Sequence, residues 1–502
     1  MQMEKAEANP GGAAASNHVL IFPCPLQGHV NAMLKLAELL ALSDLHVTFL
    51  NSDYIHYRLM TFSDLQTRIP ATYPKFQFKT ISDGLPPQHP RSGDKTIEML
   101  NSFTSHCKTH LREILVSDDV LSENCKKPRV NCIIGDGMLG SLTADIGDEL
   151  GMPVIHFRTI SASCFWANFS LPKFYESGQL PIRGEEDMDR ILGDLEGMEN
   201  LVRCRDLPSF CRESERDESN GSLSTLIFET QQSLRARALI LNTFEDLEGP
   251  VLSHIRLRFP KAYTLGPLHA HLNSRISKAS KTTSSKQSST TTNTLWEVDR
   301  SCMTWLDAQP PKSVLYVSFG SIAWISRQQL LEIWHGLVNS NKRFLWVIRP
   351  DMVVGKDADG DTPVELLEGT KERGFMVGWA PQEEVLAHQA VAGFMTHSGW
   401  NSTLESIVAG VPMICWPFFG DQQINSRFVS HVWKLGMDMK DVSDRKVLEK
   451  MINDLMVDNR EEFTKSTDEI ANLAMKAVRE GGSSYSNLDT LIEYIKSTSE
   501  GK

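Results

Sequence analysis

The chain alternates between short apolar runs and segments with helical spacing of apolar residues. Residues 18–22 (HVLIF) predict a buried strand, and residues 46–51 (HVTFLN) predict a second one. Between them, apolar residues recur at a helical spacing that includes Val30, Met33 and Leu34. Strand, helix and strand in this order are typical of a parallel sheet with crossover helices.

The same alternation continues to the end of the chain and predicts an α/β protein. Further strands are predicted over 76–81, 132–135, 154–157, 238–242, 314–319, 343–348, 375–377, 393–396 and 413–416. Residues 445–496 have a helical pattern. We therefore predict two facing, doubly wound, Rossmann-like domains over residues 18–268 and 299–480, with ligands at the carboxyl ends of both sheets. A disordered N-terminus covers 1–17, and a C-terminal helix within 481–502 packs back on the first domain.

The predicted domains are separated by a segment of different composition. Ser, Thr and Lys dominate residues 273–294, in which Ile276 is the only large apolar residue. Such a stretch cannot bury a core of its own. We expect a flexible linker over 269–298.

Charge and cysteine usage narrow the class of protein. The net charge of −12 disfavours a nucleic-acid partner. The nine cysteines are scattered and odd in number, which is typical of reduced thiols in a cytosolic protein. The first 17 residues lack the apolar centre of a signal peptide, and no run of about 18 apolar residues predicts membrane insertion. We expect a cytoplasmic protein.

Polar and aromatic residues are concentrated between residues 379 and 422. Here the run GFMT (393–396) predicts a buried strand, and 403–409 predicts a helix that Gly410 and Pro412 end. Ser402 is a suitable N-cap. A helix N-terminus after a strand presents free N–H groups and a positive dipole end, which suits a phosphate.

Residues 379–422 resemble, over their full length, the sugar-nucleotide signature of plant secondary-product UDP-glycosyltransferases. The resemblance implies the two-domain fold called GT-B and implies that Trp379 stacks on uracil, with Ala380 and Gln382 nearby. Glu405 would hold the ribose, and the diphosphate would be bound by His397, Asn401, Ser402 and Ser321. Trp400, Asp421 and Gln422 would face the sugar, and the final Gln indicates UDP-glucose.

His29 and Asp136 are the candidate catalytic residues. His29 follows the first strand at the start of a helix, whose dipole favours the neutral imidazole that a general base requires. Asp136 follows a neighbouring strand and can fix the tautomer of the histidine. The family resemblance assigns both residues the same roles. It implies a single displacement that inverts the anomeric carbon and gives a β-glucoside.

The acceptor pocket is expected on loops of the first domain. Its apolar candidates are Leu26, Met138, Leu139, Phe157, Phe165, Leu207 and Phe210, although core packing explains each of them equally well. An apolar pocket favours a hydrophobic small molecule. Stretches such as HVLIFPCPLQGHVNAMLKLAELL and RDLPSFCR resemble the subgroup that acts on iridoids and related terpenoids, while flavonoid, phenolic and triterpenoid acceptors stay open.

Other classes of site fit the sequence less well. Asp357, Asp359, Asp361 and Glu368 have a calcium-loop spacing, but Thr362 replaces the required glycine, so we expect no metal and no cofactor beyond the UDP-glucose co-substrate. No zinc spacing and no dinucleotide-binding glycine motif occur. A non-catalytic UDP-sugar sensor or a nucleotide-sugar epimerase remains an alternative. A monomer is expected.

Overall fold

A computed structural model describes most of the chain. The described residues are 17–117, 129–212, 222–282, 293–353, 370, 373–441 and 444–500. The acidic run around Asp357 and Glu368, considered above as a calcium loop, lies outside them, as does the predicted disordered N-terminus up to residue 16.

The first domain is built on a parallel sheet of seven strands in the order β3-β2-β1-β4-β5-β6-β7. These strands are β1 His18–Phe22, β2 His46–Ser52, β3 Phe76–Ile81, β4 Cys132–Asp136, β5 Val154–Arg158, β6 Ala238–Leu241 and β7 Ala262–Thr264. Strands β1, β4, β5 and β6 are buried along their whole length, which explains their continuous apolar runs.

The second domain is built on a parallel sheet of six strands in the order β10-β9-β8-β11-β12-β13. They are β8 Val314–Ser318, β9 Arg343–Val347, β10 Gly374–Val377, β11 Val391–Thr396, β12 Met413–Cys415 and β13 Gly436–Asp438. The prediction of two doubly wound α/β domains is thus confirmed. Strands β7 and β13, of three residues each, were too short for the pattern to predict.

Helices cover the faces of both sheets. In the first half of the chain they are α1 Gln27–Leu42, α2 Asp53–Phe62, α3 Leu65–Thr72, α4 Thr96–Ser117, α5 Gly140–Leu150, α6 Ala162–Glu176, α7 Ser222–Gln231, α8 Glu245–Arg258 and α9 Leu268–Thr282. In the second half they are α10 Ser301–Asp307, α11 Arg327–Asn339, α12 Gln382–Leu386, α13 Trp400–Ala409, α14 Gln422–Arg427, α15 Arg445–Asn453, α16 Arg460–Ala477 and α17 Ser483–Glu500. Among the described residues, none of these helices is long and apolar enough to cross a bilayer.

Each sheet reverses its strand order at one point, and the two points face one cleft. In the first sheet β1 lies between β2 and β4, and in the second β8 lies between β9 and β11. On the two sides of each central strand, the connecting loops run in opposite directions. This leaves a crevice at the carboxyl edge of each sheet. His29 follows β1, Asp136 ends β4, and His397 follows β11, so the topology gathers these residues at the crevice.

The two domains are also joined away from the cleft. Asp206 of the first domain is buried and forms an ion pair with Lys440 of the second. The Trp433 indole N–H donates to the Leu247 carbonyl at 3.1 Å. These contacts hold the two domains together. Separating the domains would leave a buried charge without its partner, which is strongly destabilising.

The segment after residue 268 differs from the predicted linker. The chain forms helix α9 up to Thr282, and its Leu272 is buried in the first domain's core with Ile276 packed against it. Arg275 Nη2 donates to Asp489 of α17 at 2.8 Å. The prediction of a flexible linker is therefore wrong for 269–282, where apolar residues one helical turn apart were masked by their polar neighbours.

The last helix, α17, lies on the first domain although it follows the second domain in sequence. Leu488, Leu491 and Ile495 are fully buried in the core cluster that contains strands β1 and β2. The Ser484 hydroxyl donates to the Gly266 carbonyl at 2.6 Å, and Asn487 Nδ2 donates to Thr264 Oγ1 at 2.8 Å. The chain therefore crosses between the domains twice.

Candidate active site

His29 and Asp136 form a hydrogen-bonded pair at the base of the cleft. His29 Nδ1 lies 2.7 Å from Asp136 Oδ2 and 3.0 Å from Thr159 Oγ1. Asp136 is buried, whereas 18% of the His29 side chain is exposed. Because Nδ1 faces a carboxylate, it carries the proton, and Nε2 is left to accept one from a substrate.

Asp136 is held as an anion. Its burial by itself raises its pKa, but the His29 imidazole and two backbone N–H groups outweigh burial and lower the pKa below its usual value. Those donors are the N–H groups of Met138 at 2.9 Å and Cys24 at 3.2 Å. Asp136 is therefore an oriented carboxylate that can stabilise an imidazolium as it forms.

The pKa of His29 is raised, contrary to the effect expected from the helix dipole. Burial lowers this pKa, but the charge of Asp136 and its hydrogen bond raise it by more. Asp421, across the cleft, raises it further, and Arg158 lowers it. The electrostatics of the paired carboxylate thus override the helix terminus.

All eleven predicted donor residues line a single cleft together with His29. This cleft encloses about 1390 Å³ of open space between the two domains. The residues are Ser321, Trp379, Ala380, Gln382, His397, Trp400, Asn401, Ser402, Glu405, Asp421 and Gln422.

The end of the cleft that is predicted to bind phosphate is formed by the first turn of α13. This helix begins at Trp400 with Gly399 as its N-cap, so the prediction that Ser402 is the N-cap of a helix starting at 403 is wrong. The first backbone N–H groups of a helix have no partner within it and can bind an anion. Because the helix starts earlier, Trp400, Asn401 and Ser402 all lie in this turn.

His397 lies against two glycines that leave room for its ring. A Cβ at Gly320, which has φ +71°, or at Gly399 would overlap the His397 imidazole. Burial and the nearby Arg349 lower the pKa of His397 to about 3, so the imidazole is neutral at pH 7. It can supply a hydrogen-bond donor to a phosphate but not a positive charge.

Gln382 connects the residues expected around the ribose. Its Nε2 donates to Glu405 Oε2 at 2.7 Å and to Ser402 Oγ at 2.9 Å, and its Oε1 accepts from the Tyr316 hydroxyl at 3.2 Å. Burial raises the pKa of Glu405, and the neighbouring Glu383 raises it further. A ligand hydroxyl that donates to Glu405 would favour its ionised form.

Trp400 lines the cleft, but its indole nitrogen already has a partner within the protein. Its indole is buried in the core, and the indole N–H donates to the Asn242 carbonyl at 2.8 Å. That N–H is therefore not available to a sugar hydroxyl. Only the helix-terminal position of Trp400, and not its ring nitrogen, remains suited to a ligand.

Asp421 and Gln422, which are predicted to face the sugar, both line the cleft. Burial raises the pKa of Asp421 to about 6. Gln422 Oε1 accepts from the backbone N–H of Phe418 at 2.8 Å and of Phe419 at 3.2 Å. These two hydrogen bonds orient the side-chain amide of Gln422, so its nitrogen can donate to a ligand.

Two contacts across the cleft connect donor residues to the first domain. Asn401 Nδ2 donates to the Gly28 carbonyl at 2.7 Å, and Lys35 of α1 forms an ion pair with Glu383 of α12. Lys35 is buried, and the carboxylates around it raise its pKa by more than burial lowers it. No pattern in the sequence predicts that Lys35 faces the second domain.

The predicted acceptor residues are only partly at the cleft. Leu26 lines it, but Met138, Leu139, Phe157 and Phe210 do not, and Phe165 and Leu207 are fully buried in the core as well. Leu139 and Phe157 are buried in core clusters. For Phe157 the reason is that alternation along β5 turns its side chain toward the helices. The burial of Leu139 and Phe157 contradicts their placement in the pocket, whereas the placement of Met138 and Phe210 stays a prediction. Ile160 and Phe419 line the cleft instead.

Sequence reasoning also missed Arg349 and Thr159. Arg349 is buried at the end of β9, where it donates to the carbonyls of Gly320 and Ala323 and so fixes the loop before Ser321. Each of these residues was a single polar residue after a strand, which carries no pattern in the sequence. Within the described part of the chain, no group of three His, Cys, Asp or Glu residues is arranged to hold a metal ion.

The fold and this site define a two-domain glycosyltransferase. The family described as "UDP-glucoronosyl and UDP-glucosyl transferase" matches residues 289–463. A 7-deoxyloganetic acid glucosyltransferase of Catharanthus roseus is 55% identical over 96% of this chain and 97% of its own length. The chain therefore belongs to the family of UDP-dependent glycosyltransferases, and it is an enzyme.

Other relatives and solved structures agree with this assignment. A 7-deoxyloganetin glucosyltransferase of Gardenia jasminoides is 39% identical over 96% of this chain and 98% of its own length. The crystal structure of a UDP-glucose:anthocyanidin 3-O-glucosyltransferase in complex with UDP superimposes with a TM-score of 0.80 at 25% identity, over 97% of this chain and all of its own. UGT71G1 of Medicago truncatula, complexed with UDP-glucose, has a TM-score of 0.74 at 26% identity, over 96% and 98% of the two chains.

Proposed function

We propose that this enzyme transfers glucose from UDP-glucose to an oxygen of an iridoid or related terpenoid and inverts the anomeric carbon. The observation that carries the proposal is the arrangement of one cleft. The oriented His29–Asp136 pair lies on one wall, and the residues of the sugar-nucleotide signature lie on the other. This is the arrangement required to bring an acceptor hydroxyl to a bound nucleotide sugar.

The proposed reaction is one displacement with His29 as general base. His29 Nε2 accepts the proton of the acceptor hydroxyl, and the oxygen forms a bond to C1 of the glucose. The bond between C1 and the diphosphate oxygen breaks at the same time, and UDP leaves with the electron pair. Asp136 stabilises the imidazolium that results. An α-linked donor then gives a β-glucoside.

The leaving diphosphate is stabilised by dipoles in this proposal. Residues 400–402 in the first turn of α13 line the cleft and are proposed to offer backbone N–H groups to the diphosphate, and neutral His397 adds one donor. Fixed donors of this kind stabilise developing negative charge without reorganising during the reaction. We propose that the transfer requires no metal ion.

Glucose is the proposed donor sugar because of the residues at the end of the signature. Asp421 and the oriented amide of Gln422 line the cleft beyond the phosphate end. A carboxylate accepts from two adjacent hydroxyls, and an amide nitrogen donates to a third oxygen. Trp379 and Glu405 bind the uracil and the ribose in the same proposal.

The acceptor is proposed to be an iridoid acid, such as the 7-deoxyloganetic acid named for the Catharanthus roseus relative. Leu26, Ile160 and Phe419 give the cleft an apolar wall close to His29, which suits a hydrophobic aglycone. A neighbouring cavity, which is open to solvent, shares Leu26 with the cleft and offers further space.

A flavonoid glycoside is the second candidate acceptor. A myricetin 3-O-rhamnoside 1,2-glucosyltransferase of Crocosmia x crocosmiiflora is 45% identical over 97% of this chain and 97% of its own length. Acceptor choice depends on a few wall residues, so relatives with the same donor site can differ in it. We further propose that the enzyme acts as a monomer in the cytoplasm, which size-exclusion chromatography and localisation of a fluorescent fusion would test.

The proposal is tested by an acceptor panel with UDP-glucose, analysed by mass spectrometry. The panel contains 7-deoxyloganetic acid, 7-deoxyloganetin and myricetin 3-O-rhamnoside, with a reaction lacking acceptor as a control for epimerisation. We expect a monoglucoside of the iridoid acid, with a β linkage by NMR, that is absent with His29→Ala. Turnover of the flavonoid glycoside alone would favour the second candidate, and turnover of none would contradict both.

A further inference from the structure

The indole of Trp379 is stacked against a second indole, that of Trp296. Their ring centroids are 5.7 Å apart, and the ring planes are inclined by 23°. Trp379 is among the described residues that line the cleft, whereas Trp296 is not. Trp296 thus contacts the proposed uracil-binding residue from outside the cleft wall, in the lining of the neighbouring cavity, which also includes Arg58.

The segment that carries Trp296 is fastened to both domains. On the first domain, Arg58 of α2 donates from Nε to the Leu295 carbonyl at 2.6 Å. On the second, the Asp299 N–H donates to the Trp379 carbonyl at 2.9 Å. The backbone on each side of Trp296 is therefore fixed, so the position of its ring is fixed as well.

Arg58 also packs directly on the Trp296 ring. The guanidinium carbon lies 4.7 Å from the ring centroid. Within the part of the chain that the structure describes, Arg58 has no carboxylate within ion-pair distance; its other donor bond is to the Tyr54 hydroxyl at 3.1 Å. Its charge is instead placed over aromatic faces, which attract cations electrostatically. Arg58, Trp296 and Trp379 form a continuous stack that begins in the first domain and ends in the nucleotide site.

We propose that Trp296 is a positioning residue for the donor nucleotide, and that Arg58 acts through it. Trp296 holds the Trp379 indole in the orientation that stacks on uracil, so less side-chain freedom is lost when the nucleotide binds. Arg58 makes nucleotide affinity depend on a residue of the acceptor domain. This inference rests on the proposed role of Trp379 in binding UDP-glucose.

The test compares Trp296→Leu and Trp296→Phe with the wild-type enzyme. For Trp296→Leu we expect the Kd of UDP, measured by titration calorimetry, to rise about two- to tenfold, the size of one lost aromatic stack. The KM for UDP-glucose should rise by a similar factor, and kcat should stay within about twofold, because the reacting atoms are untouched. Trp296→Phe keeps a stacking ring and should recover most of the affinity.

A spectroscopic signature reports the stack itself. Two indoles in close contact couple their electronic transitions and give a pair of far-ultraviolet circular-dichroism bands of opposite sign. This pair should be present in the wild type, absent in Trp296→Leu, and altered when UDP binds. A residue that only contributes to overall stability would not produce this response to UDP.

Trp305 provides the matched control. It stacks on Phe375 of the same domain at 5.5 Å and 20°, and neither residue lines the cleft. Trp305→Leu should leave the Kd of UDP unchanged. In the first domain, Arg58→Gln should weaken UDP binding, whereas Arg112→Gln, which removes an exposed ion pair with Glu149, should not.

Three outcomes would overturn the inference. Folded Trp296→Leu could bind UDP as tightly as the wild type, it could bind UDP more tightly because Trp296 competes with the base, or Trp305→Leu could lose the same affinity. If the wild type itself binds no UDP, the proposed function fails, and this result is distinct from an unchanged Kd in the variant.

Discussion

The side-chain amide of Asn401 donates a 2.7 Å hydrogen bond to the carbonyl oxygen of Gly28, the residue before His29. Asn401 lies on the first turn of α13, so a residue expected to contact the diphosphate also contacts the first turn of α1, which carries the proposed base. One hydrogen bond thus connects the predicted phosphate end of the cleft to the predicted catalytic histidine.

Asn401→Ala should therefore reduce kcat as well as donor binding. Loss of a typical hydrogen bond costs about 0.5–1.5 kcal/mol, which corresponds to a loss of roughly two- to tenfold in rate. Steady-state kinetics with UDP-glucose measure this effect. Asn487→Ala, which removes hydrogen bonds to Thr264 far from the cleft, is the matched control and should leave kcat unchanged. An Asn401→Ala variant that changes KM alone would show that the Gly28 contact does not matter for His29.

His29→Ala should abolish transfer while UDP binding persists. The loss of a general base commonly costs about 10²- to 10⁴-fold in rate. Asp136→Asn should cost less, because it leaves the base in place but removes the charge that stabilises the imidazolium. Turnover is measured by product formation and UDP binding by calorimetry. Wild-type turnover of a folded His29→Ala enzyme would exclude His29 as the base.

The acidic limb of the pH profile should follow His29. Only the neutral imidazole accepts a proton, so kcat/KM should rise as pH increases through the raised pKa of His29. Asp136 contributes most to raising this pKa, so Asp136→Asn should lower it and move the limb to lower pH. Asp421 also raises this pKa and has its own pKa of about 6, so Asp421→Asn is measured in parallel. A limb that Asp136→Asn leaves unmoved would assign it to another group.

Gln422→Glu should separate the sugar contact of this residue from its structural contact. The Gln422 carbonyl oxygen accepts from the N–H groups of Phe418 and Phe419, and a glutamate oxygen can accept from them too. The substitution removes the amide donor and adds a negative charge beside Asp421, so use of UDP-glucose should fall about ten- to hundredfold, by more than UDP affinity falls. Gln422→Ala should lower Tm in addition. Equal losses of UDP and UDP-glucose binding in Gln422→Glu would place its amide outside the sugar site.

Chelation should leave most of the activity intact. The proposed mechanism uses helix-terminal N–H groups and His397 to stabilise the diphosphate. These groups belong to the protein itself, so a chelator does not remove them. Initial rates are compared after dialysis against EDTA and after the return of Mg²⁺ or Mn²⁺. Complete loss on chelation, with recovery by either ion, would contradict this account.

The sequence predicted the strands well because most of them are short, buried apolar runs. The strands β1 and β3 have the predicted bounds, and most others differ by one or two residues. Ten of the eleven predicted donor residues could be selected together because they lie in one continuous segment, and Ser321 is the exception. All eleven line the cleft, although the ring nitrogen of Trp400 bonds to Asn242, and their contacts with a donor stay a prediction.

The remaining parts of the site depend on contacts between residues distant in sequence. The acceptor wall could not be predicted, because an apolar residue near the end of a strand can face either the cleft or the core. Leu26 lines the cleft, whereas Phe157 is buried in the core. No sequence pattern marks the contacts of Thr159, Lys35 or Trp296, because their partners are distant in sequence and become neighbours only in the folded protein. Helix α9 was missed because its few apolar residues lie in a segment otherwise rich in Ser and Lys.

The return of helix α17 to the first domain affects how this enzyme can be recombined with its relatives. A chimera made with a single cut between the domains would combine one protein's first sheet with another's last helix, although Leu488, Leu491 and Ile495 are buried against that sheet. Mismatched side chains there would leave voids or overlaps in a close-packed core. Exchanging acceptor specificity therefore calls for two cuts, so that the helix at the end of the chain travels with its beginning.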